Sequence, residues 1–477
     1  MTICFASREC FPAYYGGIGS HFYFQMKMLK EHGHKVVFVT YKYENADVDE
    51  MISCYEGIEV VFVNRSKQFF PAHENLNNSH LLWLSIHRLI TDEGYTFDYI
   101  IFPDCGAEGF FTILASRIYG LYNNSKILIE IEGPMKDVAV KNKNLLDEHY
   151  ELTRLIEEYC FNNCYYFTSP TQIMINELHS YINYSKSTVA IVPNLVNPVF
   201  WENNKESSHK EKNILFLGRL EYRKGPDLLI EAFSEIIEEN FEETSILKLA
   251  GRDQYWSDYN KTFKQYWGNI IKDNNRIEFL EFLNHKNLEK VFSSAWVAVF
   301  PSRWEPFGNV ALEAMLAGVP VIVPKGTGLE EVAGENYKYT FEAGNKISLA
   351  NTLRSVLELS TEDHKNLSKE VKQKGRELLL NSEDVFLNFL ASSHNNKAEA
   401  PQSASADKIF EIFHSFALLG GDNHQRYDNL YKDYSKINEL YQKKSDEYAE
   451  IEKRFQIINR ENMLMKEYLR TIQTGKS

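Results

Sequence analysis

The strongest constraint on the fold lies in residues 296–324. WVAVFPS (296–302) is a short apolar run, of the kind that forms a strand buried on both faces of a parallel sheet. A loop broken by Pro306 and Gly308 follows. VALEAMLAG then has helical spacing and stops at Gly318, a C-terminal helix signal, before the next apolar run, PVIVP. Strand, loop, helix and strand make one βαβ unit, and open sheets built from such units take ligands at the C-terminal ends of their strands. Two carboxylates bracket the loop, Glu305 within it and Glu313 in the helix beyond. Free N–H groups at a helix start suit an anion, and ionised carboxylates accept from hydroxyls. The pattern reads as a diphosphate on backbone amides, with hydroxyl-rich groups gripped on either side. A solvated surface position is the alternative, and for Glu313 taken alone it is the better one.

The N-terminal half carries the same alternation. Residues 2–6 read as a first strand. FPAYYGGIGS follows, with Gly16, Gly17 and Gly19 in a flexible turn, then a helix ending near Gly33 and a second strand at 36–40. A G-G-x-G turn between strand and helix cradles phosphate on N–H groups, although glycines also occur where a helix packs closely on a sheet. A dinucleotide dehydrogenase needs G-x-G-x-x-G here and an acid after the second strand. This chain has neither, with Thr40 and Tyr41 at the second position. Further strands are expected at 58–64, 99–104, 126–133 and from 189. Asp104 and Glu132 stand at strand ends, where they either touch a ligand or cap the following helix. From residue 213 the pattern restarts: NILFLGRLEYRKGPDLLIEAF is a strand to Gly218, a basic loop with Arg219 and Lys224, and a helix opened by Pro226. Two cations beside a helix start form an anion pocket.

The chain has 477 residues, enough for two or three domains, and 44% hydrophobic content allows sizeable cores. Its net charge of −14 argues against nucleic-acid binding and against a polybasic membrane anchor. The six cysteines lack zinc spacing and read as buried thiols of a reducing cytosol. MTICFAS enters a strand at once, so no signal peptide is expected, and no apolar run is long enough to span a membrane.

Two βαβ series, each with a glycine-rich turn, describe an α/β protein of two facing Rossmann-like domains. Over residues 1–390 the sequence resembles the retaining GT-B glycosyltransferases of glycosyltransferase family 4. GRLEYRKGPDLLIEAF resembles the family's donor-phosphate loop, FPSRWEPFGNVALEAMLAGVPVIV its E-x7-E signature, GTGLEEV its G-G-L-x-E-x-V segment and FPAYYGGIG its N-domain glycine loop. The resemblance implies an N-terminal, acceptor-side domain at 1–197 and a nucleotide-sugar domain at 198–392. It implies a UDP- or GDP-sugar donor, a glycan, lipid-linked or protein acceptor, and no cofactor or metal. By the same resemblance Arg219 and Lys224 hold the diphosphate, Glu313 the ribose and Glu305 the hexose. Phe307, Gly308 and Asn309 bring the loop to the donor, Gly16 and Gly17 face the phosphates, and Thr327 and Leu329 lie near the nucleotide. A cytoplasmic enzyme, peripheral at a membrane only through its acceptor, is the expected setting.

One departure bears on function. Where the family carries His before Gly-Pro, facing the donor sugar, this chain has IEIEGP with Glu132. A glutamate there still accepts from a hydroxyl but adds negative charge beside an anionic donor. An altered donor, or an inactive transferase-like scaffold, is therefore the competing reading. Residues 393–407 read as a Ser/Ala/Asn-rich linker and 408–477 as a helical tail. Tyr427, Tyr434, Tyr441, Tyr448, Phe455, Asn462 and Leu469 share one heptad position, and Leu430, Ile437, Lys444, Ile451, Ile458 and Met465 the other. That seam predicts a coiled coil and self-association through 421–477, with a single helix packed on the catalytic domains as the alternative.

Overall fold

A computed structural model describes residues 1–394 except 13–15, 44–47, 65–69, 71–72, 120, 123, 145, 180–186, 199–211, 240, 242–243, 273 and 281–284. The expected tail coiled coil, its self-association and most of the linker lie outside the described residues.

Runs rich in Val, Ile and Phe become strands, the central ones covered on both faces as parallel sheets require and the edge strands Glu59–Phe62, Thr188–Ile191 and Ile277–Leu280 partly open. In the first half these are β1 (Thr2–Ala6), β2 (Lys35–Thr40), β3 (Glu59–Phe62), β4 (Tyr99–Pro103), β5 (Lys126–Glu130), β6 (Tyr166–Ser169) and β7 (Thr188–Ile191). They form one parallel sheet in the order β3-β2-β1-β4-β5-β6-β7. The order reverses between β1 and β4, where Ile3 pairs with Tyr99. In the second half β8 (Ile214–Leu217), β9 (Leu247–Ala250), β12 (Ile277–Leu280), β13 (Val297–Val299), β14 (Val321–Pro324) and β15 (Thr340–Phe341) form a second parallel sheet. Its order is β12-β9-β8-β13-β14-β15, with the reversal between β8 and β13. Between β9 and β12 sits a small antiparallel hairpin, β10 (Tyr255–Trp256) with β11 (Lys261–Thr262). Each reversal opens a crevice at the strand C-terminal ends, the general ligand position in such folds.

Three details differ from the expectation. Gly17 and Gly19 are not a turn before the helix but lie in its first turn: the helix is Gly17–Glu31, with Gly16 as its N-cap. β6 and the hairpin have no counterpart in the expected strands. The helix Thr361–His394 is a single element of 34 residues, and its end packs on the first half. There Leu390 O accepts from the Tyr99 hydroxyl (2.7 Å), and His394 O from Lys126 Nζ (2.9 Å). Among the described residues no helix is long and apolar enough to cross a membrane.

Candidate functional site

The two crevices face each other and merge into one cleft of about 740 Å³. The loop after β8 forms its base. Tyr222–Lys224 is a short 3-10 turn that ends at Gly225, and the helix Pro226–Glu238 starts immediately, with proline at a position where its missing N–H is harmless. Gly225 has φ +68°, and a Cβ there would lie 2.1 Å from the Pro301 carbonyl oxygen, so only glycine lets this turn lie against the end of β13.

Opposite it stands the loop after β13. The Gly328 N–H donates to Glu305 O (2.8 Å), and the Thr171 hydroxyl of the first half donates to Pro306 O (2.8 Å). Gly308, at φ +103°, turns the chain into the helix Asn309–Leu316, whose first N–H groups open toward the cleft. The helix Gly17–Glu31 presents its own start on the far wall. Asn309 Nδ2 donates to Gly17 O across the gap (3.1 Å).

Charge is concentrated at this meeting point. Lys224 Nζ donates to Glu305 Oε2, and Arg223 Nη1 lies 3.5 Å from the same oxygen. Burial disfavours ionisation of Glu305, but Lys224, Arg223 and Arg219 together outweigh it and hold its carboxyl below the usual carboxylate range. Arg223 is buried and donates through Nη2 to Glu221 Oε1 (2.6 Å). Glu221 also receives Arg219 Nη2 (3.3 Å), but half of the Arg219 side chain stays open. Glu313 lines the cleft, and burial alone pushes its carboxyl up to about 8.

Of the residues expected from the sequence, Gly16, Gly17, Glu132, Arg219, Lys224, Glu305, Phe307, Gly308, Asn309 and Glu313 line the same cleft, as does Leu329. Asp104 does not line it. Its carboxylate accepts the Glu132 and Gly133 N–H groups (2.8 and 3.2 Å) and so fixes the loop that carries Glu132. Thr327 also stays behind the lining, its hydroxyl donating to Pro324 O (3.2 Å). Sequence reasoning overlooked Glu9, Glu221, Arg223 and Asn194, all of which line the cleft. Glu9 Oε2 accepts the Gly19 N–H (2.9 Å). It stands just after β1, so the rule that picked out Asp104, an acid at a strand's C-terminal end, applies to it too. Arg223 and Glu221 carry no such signal, because an arginine and a glutamate in a basic loop look like surface charge.

Behind Glu132 lies a histidine. The Leu195 N–H donates to His21 Nδ1 (2.8 Å), which puts the ring proton on Nε2, donated to Glu130 Oε2 (3.0 Å). Gln25 Nε2 donates to the other Glu130 oxygen (2.9 Å). Ligand atoms of His21, Glu130 and Glu132 lie within 4.8 Å of one another, which is metal-like spacing. Both ring nitrogens of His21 are already engaged, however, Nδ1 by Leu195 and Nε2 by Glu130, while Glu132 stands beside them bonded to Asn194.

Residues 200–376 match the family model described as Glycosyl transferases group 1. Over 168 residues the chain is 36% identical to an uncharacterized glycosyltransferase of Methanocaldococcus jannaschii, covering 33% of this chain and 41% of that protein. Over 235 residues it is 26% identical to the D-inositol 3-phosphate glycosyltransferase of Corynebacterium efficiens, covering 46% and 55%. These alignments span about half or less of the curated relatives' own lengths. Among solved structures, the sucrose-phosphate synthase of Thermosynechococcus elongatus superposes with a TM-score of 0.63 at 17% identity, over 82% of this chain and 99% of that one. Anabaena HepE, solved in complex with UDP and glucose, gives 0.60 at 15% identity, over 82% and 100%. At such identities the likeness establishes the fold, which is GT-B.

Proposed function

We propose that the chain, whose residues 200–376 match the model described as Glycosyl transferases group 1, moves a hexosyl group from a UDP- or GDP-sugar to a glycan, lipid-linked or protein acceptor, with retention and without a metal ion. One observation carries the reading. Arg219, Lys224 and Glu305, in loops after strands, and Glu313, in the helix beyond, line one cleft together with the starts of the helices Gly17–Glu31 and Asn309–Leu316.

The chemistry follows from the charges. A departing diphosphate gathers negative charge, and Arg219, Lys224 and two helix N-termini face the space it would fill. Preorganised donors of this kind stabilise developing charge without reorganising. Glu305 is ionised and tied to Lys224 and Arg223, which suits it to accept from sugar hydroxyls rather than to attack carbon. The acceptor's proton would then pass to the departing phosphate. Glu313 takes the ribose hydroxyls on this reading.

The test is release of nucleoside diphosphate from a panel of UDP-, GDP- and ADP-sugars with varied acceptors. Arg219→Ala and Lys224→Ala are each expected to lower turnover roughly a hundred- to a thousandfold, the usual cost of one lost charge-stabilising donor. Full activity in both variants would remove the phosphate site.

A further inference from the structure

The sugar side of the cleft holds a carboxyl group whose hydrogen bonds can be assigned from an unambiguous starting point. The Gly17 carbonyl can only accept, so the Asn309 amide turns Nδ2 toward it (3.1 Å) and Oδ1 away. Asn309 Oδ1 therefore accepts from Asn194 Nδ2 (3.2 Å), and the same Nδ2 donates to Glu132 Oε2 (3.0 Å). Oε2 of Glu132 is thus an acceptor. Oε1 has no partner among the described residues, and Glu132 lines the cleft.

The surroundings decide what Oε1 carries. On its own segment Glu132 follows Glu130, which is already engaged by His21 and Gln25. From the end of β4, Asp104 holds the backbone of Glu132 and Gly133. From the helix Gly17–Glu31 comes His21, whose Nδ1 accepts the Leu195 N–H and whose affinity for a proton is lowered by burial but raised overall by Glu130. From the second half come Asn309 and the Trp304 ring, which abuts Gly133. No cation forms an ion pair with Glu132 among the described residues. Two acids stand against a carboxylate here, and only the Asn194 amide and the His21 ring favour one.

We infer that Glu132 serves the donor pocket as a neutral carboxylic acid, with Oε2 held by Asn194 and the Oε1 hydroxyl donating to an oxygen of the donor sugar. This selects a sugar that presents an acceptor oxygen at that point over one that presents an ammonium group. It also gives the glutamate the donor capacity of a protonated ring nitrogen without adding charge beside an anionic donor. Burial pushes this carboxyl up to about 8; His21 and Asn194 work against the rise, while Glu130 and Asp104 work with it.

The role rests on the transferase reading, and the experiment separates the two. The first arm needs no ligand. Difference infrared spectra of the full chain against Glu132→Gln, taken across pH, should show a protonated carboxyl band that disappears near pH 8. Ionisation of Glu132 already at about pH 6 overturns the inference. The second arm compares UDP-glucose with UDP, and GDP-mannose with GDP, by calorimetry. Glu313 and the phosphate site act on both members of each pair, so the affinity ratio isolates the sugar. The ratio should fall roughly tenfold between about pH 7 and about pH 9 as the Glu132 proton is lost. Glu132→Ala should lower the ratio at pH 7 by roughly the same tenfold, whereas Glu132→Gln, whose amide still donates, should restore it and flatten the pH dependence. A ratio that ignores pH, with the two variants alike, overturns the inference while leaving nucleotide binding intact. Failure of all four nucleotides to bind overturns the transferase reading, and with it this role, whatever the infrared result.

Discussion

Arg223 is the residue on which the cleft's charge balance turns. Its guanidinium joins Glu221 to Glu305, both largely buried, and it lies beside the Trp304 ring at 5.5 Å. Removing one member of a buried ionic group leaves the others desolvated and uncompensated. Arg223→Met should therefore destabilise the protein by about 3 kcal/mol in chemical denaturation, well beyond the effect of an exposed arginine. Glu313 gives a prediction of opposite character. Its carboxyl is raised to about 8 in the folded chain, whereas an unfolded glutamate titrates at about 4.3. Between those values the folded protein holds a proton that the unfolded chain releases. The resulting stability is complete below about pH 4.3 and is lost as pH rises through about 8. Asp104 and Glu157, raised by burial to about 7 and about 8, act in the same direction. Scanning calorimetry from acid to alkaline pH should show Tm falling, and falling less in Glu313→Gln.

At the scale of elements, the site is a property of turns. The loops after β8 and β13 flank the point where the strand order reverses, so neither is covered by a neighbouring connection and both reach the cleft. Gly225 is one of the tight points. Its left-handed φ, and the Pro301 carbonyl oxygen only 2.1 Å from where a Cβ would stand, leave no room for a side chain. Gly225→Ala should cost about 2 kcal/mol or more in stability. It should also weaken UDP and GDP binding in calorimetry, because Lys224 immediately precedes the displaced turn. Binding equal to that of the unaltered protein would show that the turn does not set the lysine. The hairpin of β10 and β11 plays a different part. Asp258, between its strands, pairs with Lys143 of the first half (2.8 Å), and the Ser257 hydroxyl donates to Lys143 O (3.1 Å). One rim of the cleft is thereby closed by direct contact between the halves.

Over the whole molecule, similar contacts recur. Glu331 of the second half accepts the Gln172 and Ile173 N–H groups (2.9 and 2.7 Å), capping the helix Gln172–Leu178 of the first. Trp304 Nε1 donates to Glu177 Oε2 (2.5 Å), and Asn142 Nδ2 to Glu221 Oε2 (3.3 Å). The helix Thr361–His394 then ties the end of the second half to the first sheet. The cleft's shape therefore depends on polar contacts spread along its length rather than on one hinge. The tail belongs to this scale as well. Its heptad seam leads us to expect that deleting residues 421–477 lowers the oligomeric state and leaves donor turnover largely intact. An unchanged mass in light scattering would exclude that role.

The sequence by itself determined the two parallel sheets and picked out many of the residues that line the cleft. Both follow from local signals: apolar runs such as VFP and PVIVP, glycines and prolines at fixed offsets, and charges just after a strand. Arg219, Lys224 and Glu305 were legible because loops after strand ends in such sheets are ligand positions whatever the rest of the chain does, and Glu313, in the helix that follows, only through its spacing from Glu305. Tertiary structure alone decided which charges are buried and what they face. Nothing in the sequence marks Arg223 and Glu221 as buried, and Asp104 reads equally as a ligand contact or a helix cap until it is seen holding the Glu132 loop. Asn194 joins Glu132 to Asn309 over separations of 62 and 115 residues, and the last helix reaches Tyr99 over 291. Contacts so distant along the chain leave no periodic trace, because they depend on which segments meet in three dimensions, within the first half for Glu132 and Asn194 and between the halves for Asn309 and Leu390.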